Sequence, residues 1–307
     1  MKTPFIILFL IFSNAIMAQE KNSISEEVVI NKFIEGTLLL PEGVEKPNLV
    51  IIIAGSGPTD RDGNQNFLKN NALKKLAVGL TERNLATFRY DKRIVKQIRK
   101  GNVDRNILFK DFITDAISVL DYFKNQERFN AIYIAGHSQG SLVGLVAAKD
   151  KADGFISLAG AGQTIDYVIL DQITKTAPMF TEEAEKTFAV LRAGKTTDDY
   201  PKALEAIFNK EVQPFISNWM SYNPQSELQK LRIPILILNG TKDLQVTEAE
   251  AELLHQAVPE SKLQIIENMN HVLVPIEGGT LENSKSYNES ARALSPEIFE
   301  AIVNFIK

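Results

Sequence analysis

Apolar residues are spaced along this chain in two rhythms. Short continuous runs without alternation occur at Leu49–Ala54, Ala86–Tyr90, Ala131–Ala135, Phe155–Leu158, Ile235–Leu238 and Leu263–Ile266. Such runs suit strands covered on both faces, and so a parallel sheet. Between them, apolar residues recur at three- and four-residue spacing over Asn71–Glu82, Leu108–Phe123, Gln139–Lys149, Glu248–Ala257 and Pro296–Ile306, which predicts helices. Two further β-like runs, Glu27–Asn31 and Gly36–Leu40, precede the turn Pro41-Glu42-Gly43 and read as a leading hairpin. Alternation of strand and helix predicts an α/β architecture with a mostly parallel central sheet flanked by helices. It breaks once, over about 161–231, where no strand candidate occurs; an inserted helical cap is expected there. Within the cap, Phe215, Trp219 and Tyr222 form an aromatic cluster with two readings, packing of the cap on the body or lining of an acyl pocket.

The first residues do not fit this pattern. Lys2 precedes an unbroken apolar stretch from Phe5 to Phe12, with small Ala15 and Ala18 before Gln19. This is the pattern of a secretory signal peptide over 1–18, leaving 19–307 as the functional domain. Its apolar stretch is too short for a bilayer core that needs about 20 residues, so an exported protein with no stable membrane anchor is expected, periplasmic or extracellular. The formal charge of −4 supplies no basic field for phosphates, so nucleic acid is not an expected partner. The absence of cysteine removes disulfide scaffolds, thiolate nucleophiles and zinc-thiolate sites. Composition sets no oligomeric state. The charge cluster from Asp91-Lys92-Arg93 through Arg99-Lys100 reads as a solvated loop after a strand.

Any nucleophile must therefore be something other than a thiolate. Gly136-His137-Ser138-Gln139-Gly140 fits G-x-S-x-G between an apolar run and a helical stretch, the setting in which a sharp strand-to-helix turn holds a serine hydroxyl above a sheet. Serine needs a base, and the base an orienting group. Of three histidines, His137 lies inside the turn and His255 inside a helical stretch, which leaves His271 in the loop after Leu263–Ile266. Asp243 follows the run Ile235–Leu238 and supplies the acid, completing the order Ser138, Asp243, His271. Asp243 could also be a turn-capping aspartate. Oxyanion donors are expected from the backbone N–H of Gln139 and from the glycine-rich loop after Leu49–Ala54, at Ser56 or Gly57. Asp60, Arg61 and Asp62 in that loop read as bracing groups, and Asn239-Gly240-Thr241 as a turn rather than a glycosylation sequon.

Together, Gly36-Thr37-Leu38, the loop Gly55–Asn64, Arg89-Tyr90-Asp91-Lys92-Arg93, the Gly136–Gly140 turn and the Asp243 and His271 loops resemble the α/β-hydrolase superfamily. Within it they resemble bacterial esterases and serine aminopeptidase-like hydrolases related to dienelactone hydrolase. The resemblance covers nearly all of 19–307. It implies an α/β-hydrolase fold and hydrolysis of carboxylic esters of small or medium acyl groups through an acyl-enzyme. Ser138 would be the nucleophile, His271 base then acid, and Asp243 the orienter, with no metal or organic cofactor. Such proteins often carry glycine or alanine where this chain has Ser141, a departure expected to affect packing. The expected partner is a small-molecule ester. A peptidase of the same fold would want an acidic cluster in the cap for a free amine, with Glu182, Glu183 and Glu185 as candidates; a third reading is a binding module that has lost turnover.

Overall fold

A computed structural model describes residues 23–307, so the leader expected over 1–18 lies outside the described residues. Its sheet has eight strands: β1 (Ser23–Val29), β2 (Glu35–Pro41), β3 (Leu49–Ile53), β4 (Ala86–Tyr90), β5 (Ile132–His137), β6 (Gly154–Leu158), β7 (Ile235–Gly240) and β8 (Lys262–Ile266). Their order is β1-β2-β4-β3-β5-β6-β7-β8. The leading hairpin pairs antiparallel, β2 pairs antiparallel with β4, and all other pairings are parallel.

The continuous apolar runs follow from cover on both faces, except in β8, which lies at the sheet edge with Lys262 and Gln264 exposed and Leu263 and Ile265 only partly buried, so cover on both faces does not hold there. In β3, Leu49, Ile51 and Ile53 join a core with Phe109, Phe112, Val143 and Phe155. Val50 and Ile52 of the same strand point the other way, toward Leu73, Leu76, Ile298 and Ile302. Helices α3 (Phe109–Lys124) and α4 (Gln139–Ala148) cover the first face, and α1 (Ala72–Thr81) and α12 (Pro296–Ile306) the second. Each fully buried Leu, Ile or Phe contributes about 1.5–3 kcal/mol, so a strand buried on both faces tolerates a polar substitution at no position.

Two elements depart from the pattern read in the sequence. The charged stretch after β4 is not a solvated loop: Arg93–Arg99 forms a helix (α2), and Asp91 and Lys92 are buried. Most of these charges are neutralised locally, because Arg61 and Arg99 pair with Asp91 while Arg93 pairs with Asp115; Lys92 has no carboxylate partner among the described residues. A short helix at Thr280–Ser286 (α11) carries too few apolar residues to be read by periodicity.

Between β6 and β7 the described residues form helices and no strand: α5 (Ile165–Thr176), α6 (Thr181–Arg192), α7 (Glu205–Phe208), α8 (Gln213–Met220) and α9 (Pro224–Leu228). Ile173, Phe188, Leu191, Phe208 and Ile216 give the segment a small core of its own. Helix α10 (Glu248–Ala257) joins β7 to β8. No helix of the described residues is long and apolar enough to cross a membrane.

Candidate active site

Ser138 sits between β5 and α4 with φ 54° and ψ −121°, a conformation that costs an ordinary side chain of order 1–3 kcal/mol. Two close approaches hold it there. A Cβ on Gly136 would overlap the carbonyl of Gly140, and one on Gly140 would overlap the carbonyl of Ile53. Only glycine lets strand, turn and helix pass this closely. Ser141, one turn into α4, is buried and shares a 2.8 Å hydrogen bond with Ser157, so its hydroxyl is satisfied and its role is packing.

The Asp243 and His271 loops meet beside this turn. His271 Nδ1 donates to Asp243 Oδ2 at 2.8 Å, and both side chains are buried. The other oxygen of Asp243 accepts the backbone N–H groups of Gln245 and Val246 at 2.8 and 2.9 Å. Turn-capping and orienting are therefore both true of Asp243, one oxygen for each. With Nδ1–H committed, Nε2 of His271 is left as the basic nitrogen. His271 and Ser138 line one cavity.

His137 carries a role that its sequence position did not signal. It is a partly exposed wall of the same cavity, and its ring lies 4.9 Å from that of His271. Its Nε2–H donates to the His271 backbone carbonyl at 2.7 Å. Desolvation, reinforced by the nearby His271, pushes the pKa of His137 down to about 4, so it is a neutral donor bracing the histidine loop. His255, in contrast, lies on α10 and bonds Ser261. Asn239 is not the turn residue expected: it lies with Gly240 in β7, paired to β8, and is fully buried with its amide on the carbonyls of Val246 and Thr247, out of reach of glycosylation.

The glycine-rich loop 55–64 is braced as its composition suggests. Asp60 Oδ1 accepts the N–H groups of Asp62 and Asn64, Arg61 reaches Asp91, and Arg89 reaches Asp62. The Ser56 carbonyl accepts from Thr59 Oγ1 and Gln65 Nε2 at 2.6 and 3.1 Å. The backbone N–H groups of Ser56, Gly57 and Gln139 have no protein partner among the described residues. Ser56 borders both cavities that Ser138 lines, whereas Gly57 borders neither. Of the two loop candidates, Ser56 is the one that faces the site.

Those two cavities differ in chemistry. Beneath the helices that follow β6, a cavity of about 290 Å³ is walled by Leu142, Ile165, Val168, Ile169, Trp219 and Val246. Trp219 also stacks on Phe109 of the body at 5.3 Å and 2°, so Trp219 both packs and lines, whereas Phe215 and Tyr222 pack against the body without lining this cavity. The other is a smaller cleft of about 100 Å³ bordered by Thr59, Gln65, Asn70, Gln245 and Tyr287. Burial pushes the Tyr287 hydroxyl up to about 12, which keeps its proton available. No Asp or Glu lines either space. Among the described residues no group of three His, Asp or Glu converges as metal ligands would.

No family model matches the chain. It is 25% identical over 273 residues to Esterase EstD of Thermotoga maritima, an alignment covering 84% of this chain and 62% of that protein. Among solved structures, Est1E from Butyrivibrio proteoclasticus superposes with a TM-score of 0.59 at 19% identity, over 92% of this chain and 97% of the other. Dienelactone hydrolase from Anabaena variabilis gives 0.53 at 15%, over 93% and 99%. Eight strands in this order, a strained serine between strand and helix, and these structural likenesses establish that the chain has the α/β-hydrolase fold.

Proposed function

We propose that this protein is a serine hydrolase that cleaves carboxylic esters of small or medium acyl groups through an acyl-enzyme. The observation that carries the reading is the buried Asp243–His271 pair opening on the same cavity as a strained Ser138. In the proposed reaction Ser138 Oγ attacks the ester carbonyl while His271 Nε2 takes its proton. The tetrahedral oxyanion is received by the N–H groups of Gln139 and of Ser56. Collapse of the intermediate passes the proton from His271 to the departing alcohol, and water then repeats the cycle on the acyl-enzyme. Likeness to Esterase EstD supports ester rather than other acyl chemistry, although the chain spans less than two thirds of that relative's length.

The two spaces beside Ser138 suggest which half of the substrate goes where. An apolar acyl group fits the larger cavity under the cap helices, and an uncharged hydroxylated alcohol fits the polar cleft. Est1E, the fold neighbour, has been solved with ferulic acid bound, which is compatible with an aromatic acyl group. The peptidase alternative is disfavoured by one observation. A free α-amine needs a carboxylate, no Asp or Glu lines either space, and Glu182, Glu183 and Glu185 lie on α6, with Glu182 paired to Lys186.

Ser138→Ala is expected to lower kcat on a p-nitrophenyl ester by several powers of ten with the melting temperature little changed, and to abolish labelling by a fluorophosphonate. Retention of a tenth of wild-type activity would refute the assignment. A non-catalytic module would show no adduct even in the wild type. For location, we propose export with cleavage after Ala18; N-terminal sequencing of the mature protein would test it, and an intact Met1 would overturn it.

A further inference from the structure

Lys92 directly precedes α2, in the stretch whose charges read as solvated, yet its side chain turns inward. Its neighbours spend their charges on ion pairs, Asp91 with Arg61 and Arg99, Arg93 with Asp115. Lys92 has no such partner among the described residues. It is 5% exposed, and its Nζ donates to Gly55 O at 2.9 Å, Gly57 O at 3.0 Å and Gln139 Oε1 at 2.8 Å. The ring of Phe112 lies 4.4 Å from Nζ. An ammonium has three N–H donors, and all three are used here.

Such an ammonium is a poor way to fill a core. Burial alone draws its pKa down to about 7, so holding the charge there costs folding free energy. What the three acceptors share is position. Gly55 and Gly57 flank Ser56, and Gln139 follows the nucleophile. In a trans peptide the N–H points opposite to the carbonyl, so fixing Gly55 O on Lys92 fixes the direction of the Ser56 N–H. Pro58 follows Gly57 and has no N–H, so the second bond anchors the loop just beyond Ser56 without spending a donor. The third bond fixes the side chain of the residue whose own amide is the other oxyanion donor.

We infer that Lys92 is a positioning residue whose buried ammonium ties the early loop to Gln139 and so sets the spacing of the two amides that receive the oxyanion. The inference rests on the serine hydrolase reading above. Because the amides act on charge that develops only in the transition state, loosening them should lower kcat and leave KM nearly unchanged.

The test compares full-length wild type with Lys92→Met, which keeps the apolar stem and removes the ammonium. Kinetics on p-nitrophenyl butyrate should show kcat lowered about 10–100-fold with KM within about threefold. Binding of an alkyl boronic acid, whose adduct on a serine mimics the tetrahedral intermediate, should weaken by a similar factor. A residue that only supports packing would lower the melting temperature without this split. Should Lys92→Met fail to fold, Gln139→Met removes one acceptor and keeps the backbone amide, and is expected to lose kcat about 3–10-fold, again with little change in KM. A folded variant with wild-type kcat overturns the inference, as does a loss confined to KM. If wild-type Ser138 forms no fluorophosphonate adduct, the hydrolase reading fails and takes this inference with it; a labelled, active wild type beside an equally active Lys92→Met sinks the inference alone.

Discussion

At the scale of single residues, the site is built from side chains that each do two things. Asp243 divides its oxygens between a turn and a histidine, and His137 is both a wall of the cleft and the brace of the His271 loop. The second arrangement has a consequence for stability. His137 titrates near its ordinary value, about 6.5, in the unfolded chain and near 4 when folded, so the unfolded state binds more protons between those values. Its contribution is fully present above about pH 6.5 and is lost as pH falls to about 4. With the ring partly open to the cleft, the loss is on the order of 1–3 kcal/mol. Urea titrations from pH 7 to 4 should show the wild type losing that much more stability than His137→Gln; equal slopes would remove His137 from the acid response. The meeting of Ser138, Asp243 and His271 could be expected from the sequence because the chain order of these three residue types follows from the fold that displays them. His137 and Lys92 could not, since each acts on a backbone group far away in sequence, and no local pattern records such a partner.

At the scale of elements, the strand–turn–helix unit around Ser138 combines the ladders of β5 with β3 and β6 with close backbone approaches at its glycines. The Gly140 Cα faces the carbonyls of Ile53 and Ala54 at the end of β3, the strand that carries the early loop. A methyl group there must push β3 and α4 apart. Gly140→Ala is therefore expected to cost about 1–3 kcal/mol in urea unfolding and to lower kcat by moving Ser138 away from the loop amides. An unchanged unfolding midpoint would mean that the two elements can slide. Buried strands and amphipathic helices were legible because each rhythm reports a burial pattern directly. The helix α2 was not, because its charges are satisfied by Asp91 just before it and by Asp115 and Glu35 on other elements, and a paired charge has the same letter as a solvated one.

At the scale of the whole molecule, the segment between β6 and β7 has its own core yet meets the body through aromatic rings. Trp219 stacks on Phe109, while Phe215 packs edge-on against both Phe109 and Phe112. Since Trp219 also walls the larger cavity, one substitution should report on both roles. Trp219→Ala is expected to lower stability by about 1–3 kcal/mol and to raise KM for octanoyl esters more than for acetyl esters. A uniform change across chain lengths would assign Trp219 to packing alone. By itself the sequence determined the alternating architecture, the place where it is interrupted, and the chain order of the Ser138, Asp243 and His271 loops, because burial periodicity and turn chemistry are local properties written residue by residue. Only the tertiary structure decided that Ser56 rather than Gly57 borders the cavities at Ser138, that His137 braces His271, and that Lys92 is buried across two loops. Those outcomes depend on which backbone carbonyls and amides meet in space, and every residue carries the same backbone groups whatever its side chain.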